Sequence, residues 1–341
     1  MSKLFTPVTL RELEIRNRIV MPPMCQYSAA TDGMANDWHL IHYVTRAVGG
    51  AGLIIMEATA VEPRGRISDY DLGIWSDEHI PMLKRITDNV HSHGAKIGIQ
   101  IAHAGRKSGA RGSVPVAPSA IAFDEEYATP EELTADGIEK IVAAFAEAAK
   151  RARRAGFDLV EVHAAHGYLL NEFLSPVTNR RTDGYGGPPA NRARLLKEVI
   201  AAVREEWPEK RPLSVRISAV DHIPGGMELE DTIGIVDALK DEGVDIWHVS
   251  SGGIAPVGPG RVFPGYQVPY SSALKERLGV KTIAVGCIKG AELAEEIVAN
   301  HRADMVALGR ELLRNPYWPL AAARSLGVKV EWPKQYERAE E

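Results

Sequence analysis

Cysteine is nearly missing from this chain: 341 residues contain two, Cys25 and Cys287. That excludes a disulfide framework, and it leaves too few thiolates for an iron–sulfur cluster or a four-cysteine zinc site. Long hydrophobic runs are missing too. The longest apolar stretch, around Leu53 to Val61, is interrupted by Glu57 and is too short to span a bilayer. The opening Met1-Ser2-Lys3-Leu4-Phe5 lacks the apolar core and cleavage site of a secretory signal. Neither charge sign dominates: 40 basic and 45 acidic residues give a net charge of −5, which makes no general electrostatic case for nucleic acid or an anionic membrane. No Gly-x-Gly-x-x-Gly fingerprint follows the first strand candidate, so a dinucleotide-binding open sheet loses its main support. No linker-like or low-complexity segment divides the chain. The expectation is a soluble, cytoplasmic protein whose residues 1–341 form a single domain, with no nucleic-acid or membrane partner.

What is present is an alternation. At 45% hydrophobic and 25% charged residues, the chain has the balance of a globular protein with a sizeable core. Short apolar runs mark strands at Ile19–Met24, Leu53–Ala58, Ile97–His103, Leu159–His163, Leu213–Ser218, Ile246–Ser250, Thr282–Val285 and Met305–Leu308. Amphipathic helical patterns occupy Trp38–Val48, Asp77–His93, Thr134–Ala155, Asn191–Glu206, Glu230–Asp241, Ser271–Leu278, Gly290–Asn300 and Tyr317–Leu326. Strands that are apolar on both faces and alternate with helices predict a buried parallel sheet, and eight such units favour a closed (β/α)8 TIM barrel. Leu4–Ile15 reads as a β-hairpin ahead of the first barrel strand, capping the barrel floor. The long loop from Arg106 to Pro130 is expected to carry function or local structure.

In such a barrel the chemistry sits at the C-terminal strand ends. The polar residues expected there are Cys25 and Tyr27 after the first strand, Gln100 and His103 on the third, His163, His166 and Tyr168 after the fourth, and Arg216 on the fifth. Ser250–Gly253, Gly286, and Gly309 with Arg310 follow the sixth, seventh and eighth. Gly286 and Gly309 at adjacent strand ends let a phosphate approach the backbone, and Arg310–Arg314 reads as the short extra helix of a barrel phosphate site. His163 and His166 have the residue type and placement to donate two hydrogen bonds to one substrate oxygen, with Tyr168 nearby as a proton source. A zinc site would need a third ligand, for which His103 is the candidate; no acidic residue accompanies the pair in a hydrolase-like spacing, and no metal is expected. Arg216, in the otherwise apolar Val215-Arg216-Ile217, needs an anionic partner: either an electron-rich ligand or an internal carboxylate such as Glu57 or Glu161. Cys25 is either a small buried hydrophobe or a functional strand-end thiol, and Cys287 reads as packing.

Longer motifs add to this. Leu4-Phe5-Thr6-Pro7, Arg16 through Tyr27 with its Pro22-Pro23-Met24-Cys25-Gln26-Tyr27, Gln100 through Lys107, His163 through Pro176, Asn179-Arg180-Arg181-Thr182-Asp183, Tyr185-Gly186-Gly187, Asn191-Arg192 and Gly309-Arg310-Glu311-Leu312-Leu313 stand in order along the chain. With them the sequence resembles the old yellow enzymes nearly end to end, most closely their bacterial thermophilic-like branch, which Cys25 marks. The resemblance implies non-covalent FMN, with NADPH as reductant and NADH also admissible. It implies reduction of electron-poor alkenes (enones, maleimides, nitroalkenes) by hydride transfer from reduced FMN, with protonation by a tyrosine, in a ping-pong cycle. It places Pro22, Pro23, Met24, Cys25, Ala58, Gln100, Arg216, Gly286, Gly309 and Arg310 around the flavin. His163 and His166 are then the carbonyl ligands, Tyr168 the proton donor, Cys25 the residue that tunes the flavin, and Tyr27 and Lys107 pocket residues. The tail, about 327–341, carries Gln335-Tyr336-Glu337-Arg338. It resembles the tail that in this branch crosses to a neighbouring subunit, implying a homodimer or tetramer in which Arg338 reaches the partner's pocket. The sequence departs from that pattern just afterwards, where Ala339-Glu340-Glu341 is acidic.

Overall fold

The computed structural model describes residues 2–340; Met1 and Glu341, the outermost residues of the expected domain and tail, lie outside it. An antiparallel hairpin comes first, β1 (Val8–Leu10) against β2 (Leu13–Ile15). The barrel is built from β3 (Ile19–Met21), β4 (Leu53–Ala60), β5 (Lys96–Ala102), β8 (Leu159–Ala164), β9 (Leu213–Ser218), β10 (Ile246–Ser250), β11 (Thr282–Ala284) and β12 (Met305–Ala307). They close in chain order, every pairing parallel, with β12 returning to β3. Two short strands in the long loop, β6 (Val116–Ala117) and β7 (Glu131–Glu132), pair outside the barrel.

Between strands run α1 (Asp37–Val48), α2 (Ile80–Ser92) and α3 (Ala135–Arg154). After β8 come α4 (Leu169–Leu174), α5 (Pro189–Arg192) and α6 (Arg194–Glu206). The remaining units supply α7 (Leu229–Leu239), α8 (Val268–Leu278), α9 (Ala291–Ala299), α10 (Gly309–Arg314) and α11 (Trp318–Ser325). Caps fix several starts. Asn36 accepts from the Trp38 amide and Thr134 from that of Gly137, each satisfying a helix N–H that has no intrahelical partner. No helix of the described residues is long and apolar enough to cross a membrane.

Eight strands, the alternation and the floor hairpin follow the sequence reading, and the ends of elements differ for local reasons. β3 stops at Met21 rather than Met24, because Pro22 and Pro23 have no N–H to give a ladder. The pattern over Asp77–His93 divides into a 3-10 turn, Asp77–His79, and α2; that over Asn191–Glu206 begins earlier and breaks between α5 and α6. α4 lies inside the His163–Pro176 motif, where the helical period is too short to read. β4 runs on to Ala60, and its pairing with β5 shifts register between Met56 and Thr59, a bulge-like irregularity beside the mouth.

The interior is layered. Val8, Leu10, Leu13 and Ile15 of the hairpin pack with Val20, Leu53, Ile55, Leu159, Ile246, Ile283 and Met305, sealing the bottom with apolar side chains. Above them lies a polar layer: Glu161 accepts from Gln100 Nε2 (2.9 Å), Ser214 Oγ (3.0 Å) and His248 Nδ1 (2.9 Å). The second large apolar cluster fills the space between barrel and helices. Leu10 has no solvent exposure, so Leu10→Ala leaves a cavity the floor cannot refill. The expected loss is ~2–4 kcal/mol of unfolding free energy, measured by denaturant titration. A loss under ~0.5 kcal/mol would show that the hairpin is not part of the cooperative core.

Candidate active site

The mouth of the barrel has two zones. At one side a cleft of about 470 Å³ is lined by Pro22, Pro23 and Met24 after β3, Gly286 after β11, and Gly309 and Arg310 at the start of α10. Arg216 reaches it from β9. Gly286 stands at φ +129°, which L side chains rarely adopt, and its open backbone faces the cleft. Ser250 and Gln267 join the wall, Gln267 Nε2 donating to Ser250 Oγ (3.0 Å) and Ser251 Oγ (2.9 Å). Ser250 ends β10 and is expected at the mouth; Gln267, with Tyr266 and Phe263, carries no motif in the sequence, and the segment after β10 puts them there. Cys287 is a correction. Read as packing, it lines the cleft half-buried at φ +52°, and Arg310 Nη2 donates to its sulfur at 2.8 Å.

Arg216 is the electrostatic centre. Its side chain is buried, and its Nε has no partner. The two internal carboxylates proposed for it are both engaged elsewhere. Glu57 accepts from the Tyr43 hydroxyl (2.9 Å) and the Gln26 amide (2.7 Å), and Glu161 belongs to the polar layer. No ion pair to Arg216 forms among the described residues. Burial opposes the charge on Glu161, yet His248 and then Arg216 hold its carboxyl below the usual range. A buried guanidinium with unsatisfied donors at the edge of a cleft calls for an anionic or electron-rich ligand there.

The second zone is formed by β8 and the turn after it. The His163 ring stands edge-on to His166 (centroids 5.2 Å) and to Tyr168 (5.0 Å). His163 Nδ1 accepts from the Ala165 amide at 3.2 Å, which leaves the proton on Nε2. His166 occupies the left-handed region (φ +61°). Its amide donates to Ser218 Oγ (2.9 Å), and its Nε2 meets Ser250 Oγ (2.8 Å), joining the two zones. Burial, and after it the charge of Arg216, holds both imidazoles well below their ordinary value, so they are neutral at physiological pH. Burial drives Tyr168 strongly upward, so its hydroxyl keeps its proton.

Cys25 and Tyr27 follow Pro22, Pro23 and Met24 of the cleft lining. Burial first, then the nearby Asp71 and Glu57, raises the Cys25 thiol against the lowering influence of the Ala58 amide and the Tyr27 hydroxyl, so it stays protonated. Ala58 and Tyr168 share a small cavity at this side. Gln100 lies one layer lower, bound to Glu161. His103, the candidate third zinc ligand, turns away: its Nε2 meets Glu62 Oε1 at 2.8 Å, and its Nδ1 accepts from the Gly105 amide. Lys107 does not line the large cleft; its ammonium donates to the carbonyls of His166 (3.0 Å) and Gly253 (3.3 Å). Arg338 lies on an exposed 3-10 turn, Lys334–Ala339, outside this chain's own mouth.

The sequence profile of the NADH:flavin oxidoreductase / NADH oxidase family matches residues 3–327. This chain belongs to that family. An NADPH dehydrogenase of Listeria welshimeri is 54% identical over 340 residues, covering 99% of each chain. The structure of morphinone reductase superposes with a TM-score of 0.83 at 34% identity, covering 98% of this chain and 92% of the other. A 2-naphthoyl-CoA reductase reaches 0.89 at 27% identity, but this chain spans only 52% of that protein. The old yellow enzyme resemblance and the TIM barrel therefore stand. The chain is a flavin oxidoreductase with FMN as its flavin and NAD(P)H as its reductant.

The residues present fit a bound FMN. The cleft has an open backbone at Gly286, Arg310 at its rim for a phosphate, and an unpartnered buried cation at its inner end. Replacing Arg216 with Met keeps the volume and removes the charge. FMN affinity is expected to fall ~10–100-fold, the loss typical of a hydrogen bond to a charged group, measured by fluorescence titration of the apoprotein. Unchanged affinity would assign Arg216 to the polar layer instead.

Proposed function

We propose that the chain is one FMN-binding unit that reduces activated carbon–carbon double bonds, such as those of enones, maleimides and nitroalkenes, at the expense of NADPH. The observation that carries this reading is the meeting of two neutral imidazoles and one protonated phenol within 5.2 Å, beside a buried unpaired arginine. The same set of residues would serve a shared site in which nucleotide and acceptor alternate, giving ping-pong kinetics.

Pro22, Pro23, Met24, Cys25, Ala58, Gln100, Arg216, Gly286, Gly309 and Arg310 would hold FMN. Arg310 and the Gly286 and Gly309 backbones take the phosphate, and Arg216 the electron-rich edge of the ring. Bound FMN supplies two-electron redox chemistry between NADPH and the acceptor. The protein's share is orientation, polarisation and a proton. His163 donates from Nε2 to the acceptor's oxygen, and His166 contributes its second donor once a ligand competes with Ser250. Because both rings are neutral, they polarise that oxygen by hydrogen bonding without surrendering a proton to it. Tyr168, kept protonated by burial, delivers the proton to the α-carbon. Cys25 stays a thiol and acts on the flavin's environment, not as a nucleophile, while Tyr27 lines the pocket.

The double variant His163→Ala/His166→Ala and the single variant Tyr168→Phe are expected to slow enone reduction by ~10²–10³-fold. Flavin reduction by NADPH should fall less, since hydride transfer to the flavin needs no proton from the phenol and no polarised acceptor oxygen. Stopped-flow absorbance of the two half-reactions separates the cases. Equal slowing of both would mean that these residues shape the flavin site and do not handle the acceptor.

The tail belongs to the same proposal. Arg338 is exposed and points at nothing in its own mouth, while Tyr336 stacks edge-on to Tyr317 (5.8 Å) and, with Leu313, leaves apolar surface open nearby. These features support a homodimer, or a tetramer of dimers, in which Arg338 enters the partner's pocket. Deleting residues 336–341 should raise the acceptor KM several-fold while FMN stays bound. A strictly monomeric active enzyme by light scattering would end this reading.

A further inference from the structure

Two loops at the mouth are pressed backbone to backbone. His166 and Gly167 both take left-handed conformations (φ +61° and +73°), as does Gly253 opposite them (φ +91°). A Cβ on Gly167 would lie 2.1 Å from the Gly253 carbonyl oxygen, and one on Gly253 would lie 2.6 Å from His166 Cα. The contact brings the His166 and Gly253 carbonyls toward one point. At that point stands Lys107 Nζ, 3.0 Å from the first and 3.3 Å from the second. Neither oxygen has another hydrogen-bond donor among the described residues. The same ammonium lies 4.9 Å from the Tyr168 ring centroid and 4.5 Å from that of Phe123.

We propose that Lys107 is a positioning residue. It clamps the turn after β8 to the loop after β10, and so fixes the left-handed backbone that aims the His166 imidazole, with the Tyr168 ring held beside it. This rests on reading His166 as an acceptor ligand and deepens it. The physical need is plain: two carbonyl oxygens from separate loops, brought to one point, repel unless a donor or cation joins them. An uncommon backbone conformation at a non-glycine residue persists only where its surroundings hold it. The clamp also places a positive charge beside the phenol that gives up the proton, which favours the tyrosinate left behind.

The clamp's charge is open to titration. Burial brings Lys107 down to about 8, against Glu172 of α4 and Asp124 of the long loop, which raise it, and Arg106, which lowers it further. His163 and His166 face it from the barrel side. Glu172, itself pushed up to about 8 by burial, charges in the same range. Lys107 is charged below its own value and loses the clamp's cation as pH rises through it.

The test uses FMN-loaded Lys107→Met, Lys107→Arg and His166→Ala proteins beside the parent. Each is titrated at neutral pH with 4-hydroxybenzaldehyde, which reads the acceptor subsite through its absorption against oxidised flavin. K107M should bind it ~10-fold more weakly, and K107R, whose guanidinium spans two carbonyls, should recover most of that loss. With 2-cyclohexenone as a non-titrating acceptor, the parent's kcat/KM should fall above about pH 8. The fall should be absent in K107R, which keeps Glu172 and so assigns the limb. Binding by K107M within twofold of the parent, while H166A loses it, would overturn the clamp. Unchanged binding by H166A would overturn the histidine reading and the clamp with it. If K107M fails to hold FMN, identical alkaline limbs in the parent and K107R would refute the proposal, and their divergence would support it.

Discussion

A buried positive charge without a protein counter-charge governs the architecture of the mouth. Arg216 stands on a barrel strand where its neighbours Val215 and Ile217 are fully buried. The carboxylate best placed to neutralise it, Glu161, already accepts from three side chains in the layer beneath. That leaves the guanidinium's donors turned to the cleft, and its field reaches everything nearby. It helps keep His163 and His166 uncharged, and it helps hold Glu161 ionised. In the proposed function an electron-rich ring would lie against it. One cation thus biases the protonation states of its neighbours.

The layering separates tasks that would otherwise conflict. The hairpin and lower strand residues form a dry apolar floor, which supplies cohesion without any polar demand. The Glu161 layer above it is polar but saturated, apart from the second nitrogen of His248. At the mouth, Arg216 keeps a buried donor without a partner. A buried polar group without a partner is costly where no ligand comes, and the one on Arg216 faces the cleft.

Much of this was legible in the sequence because it depends on short-range pattern. Short apolar runs marked every barrel strand, and period-3.6 hydrophobicity marked the helices long enough to show it. Glycine and arginine after the last two strands marked the phosphate end, and the His163–Tyr168 run marked the other. What escaped depends on contacts between distant segments. Cys287 looks like any small apolar residue until Arg310 is seen 23 positions away with its guanidinium on the sulfur. Lys107 reads as a pocket residue, and nothing local shows that its ammonium ends on carbonyls 59 and 146 residues further along. α4 has six residues, fewer than two turns, and a helix that short leaves no periodic trace. Gln267 enters from a loop whose length and glycines say only that it turns.

The paired prolines that end β3 have a consequence of another kind. Pro22 and Pro23 form one wall of the flavin cleft, and each has its φ fixed by its ring. Such residues have few conformations to surrender when the chain folds, so ordering this wall costs less entropy than ordering the same length of ordinary backbone. The wall therefore has its shape before any ligand arrives. Association does not have to draw on ligand contacts to stiffen it, and more of their free energy is expressed as affinity.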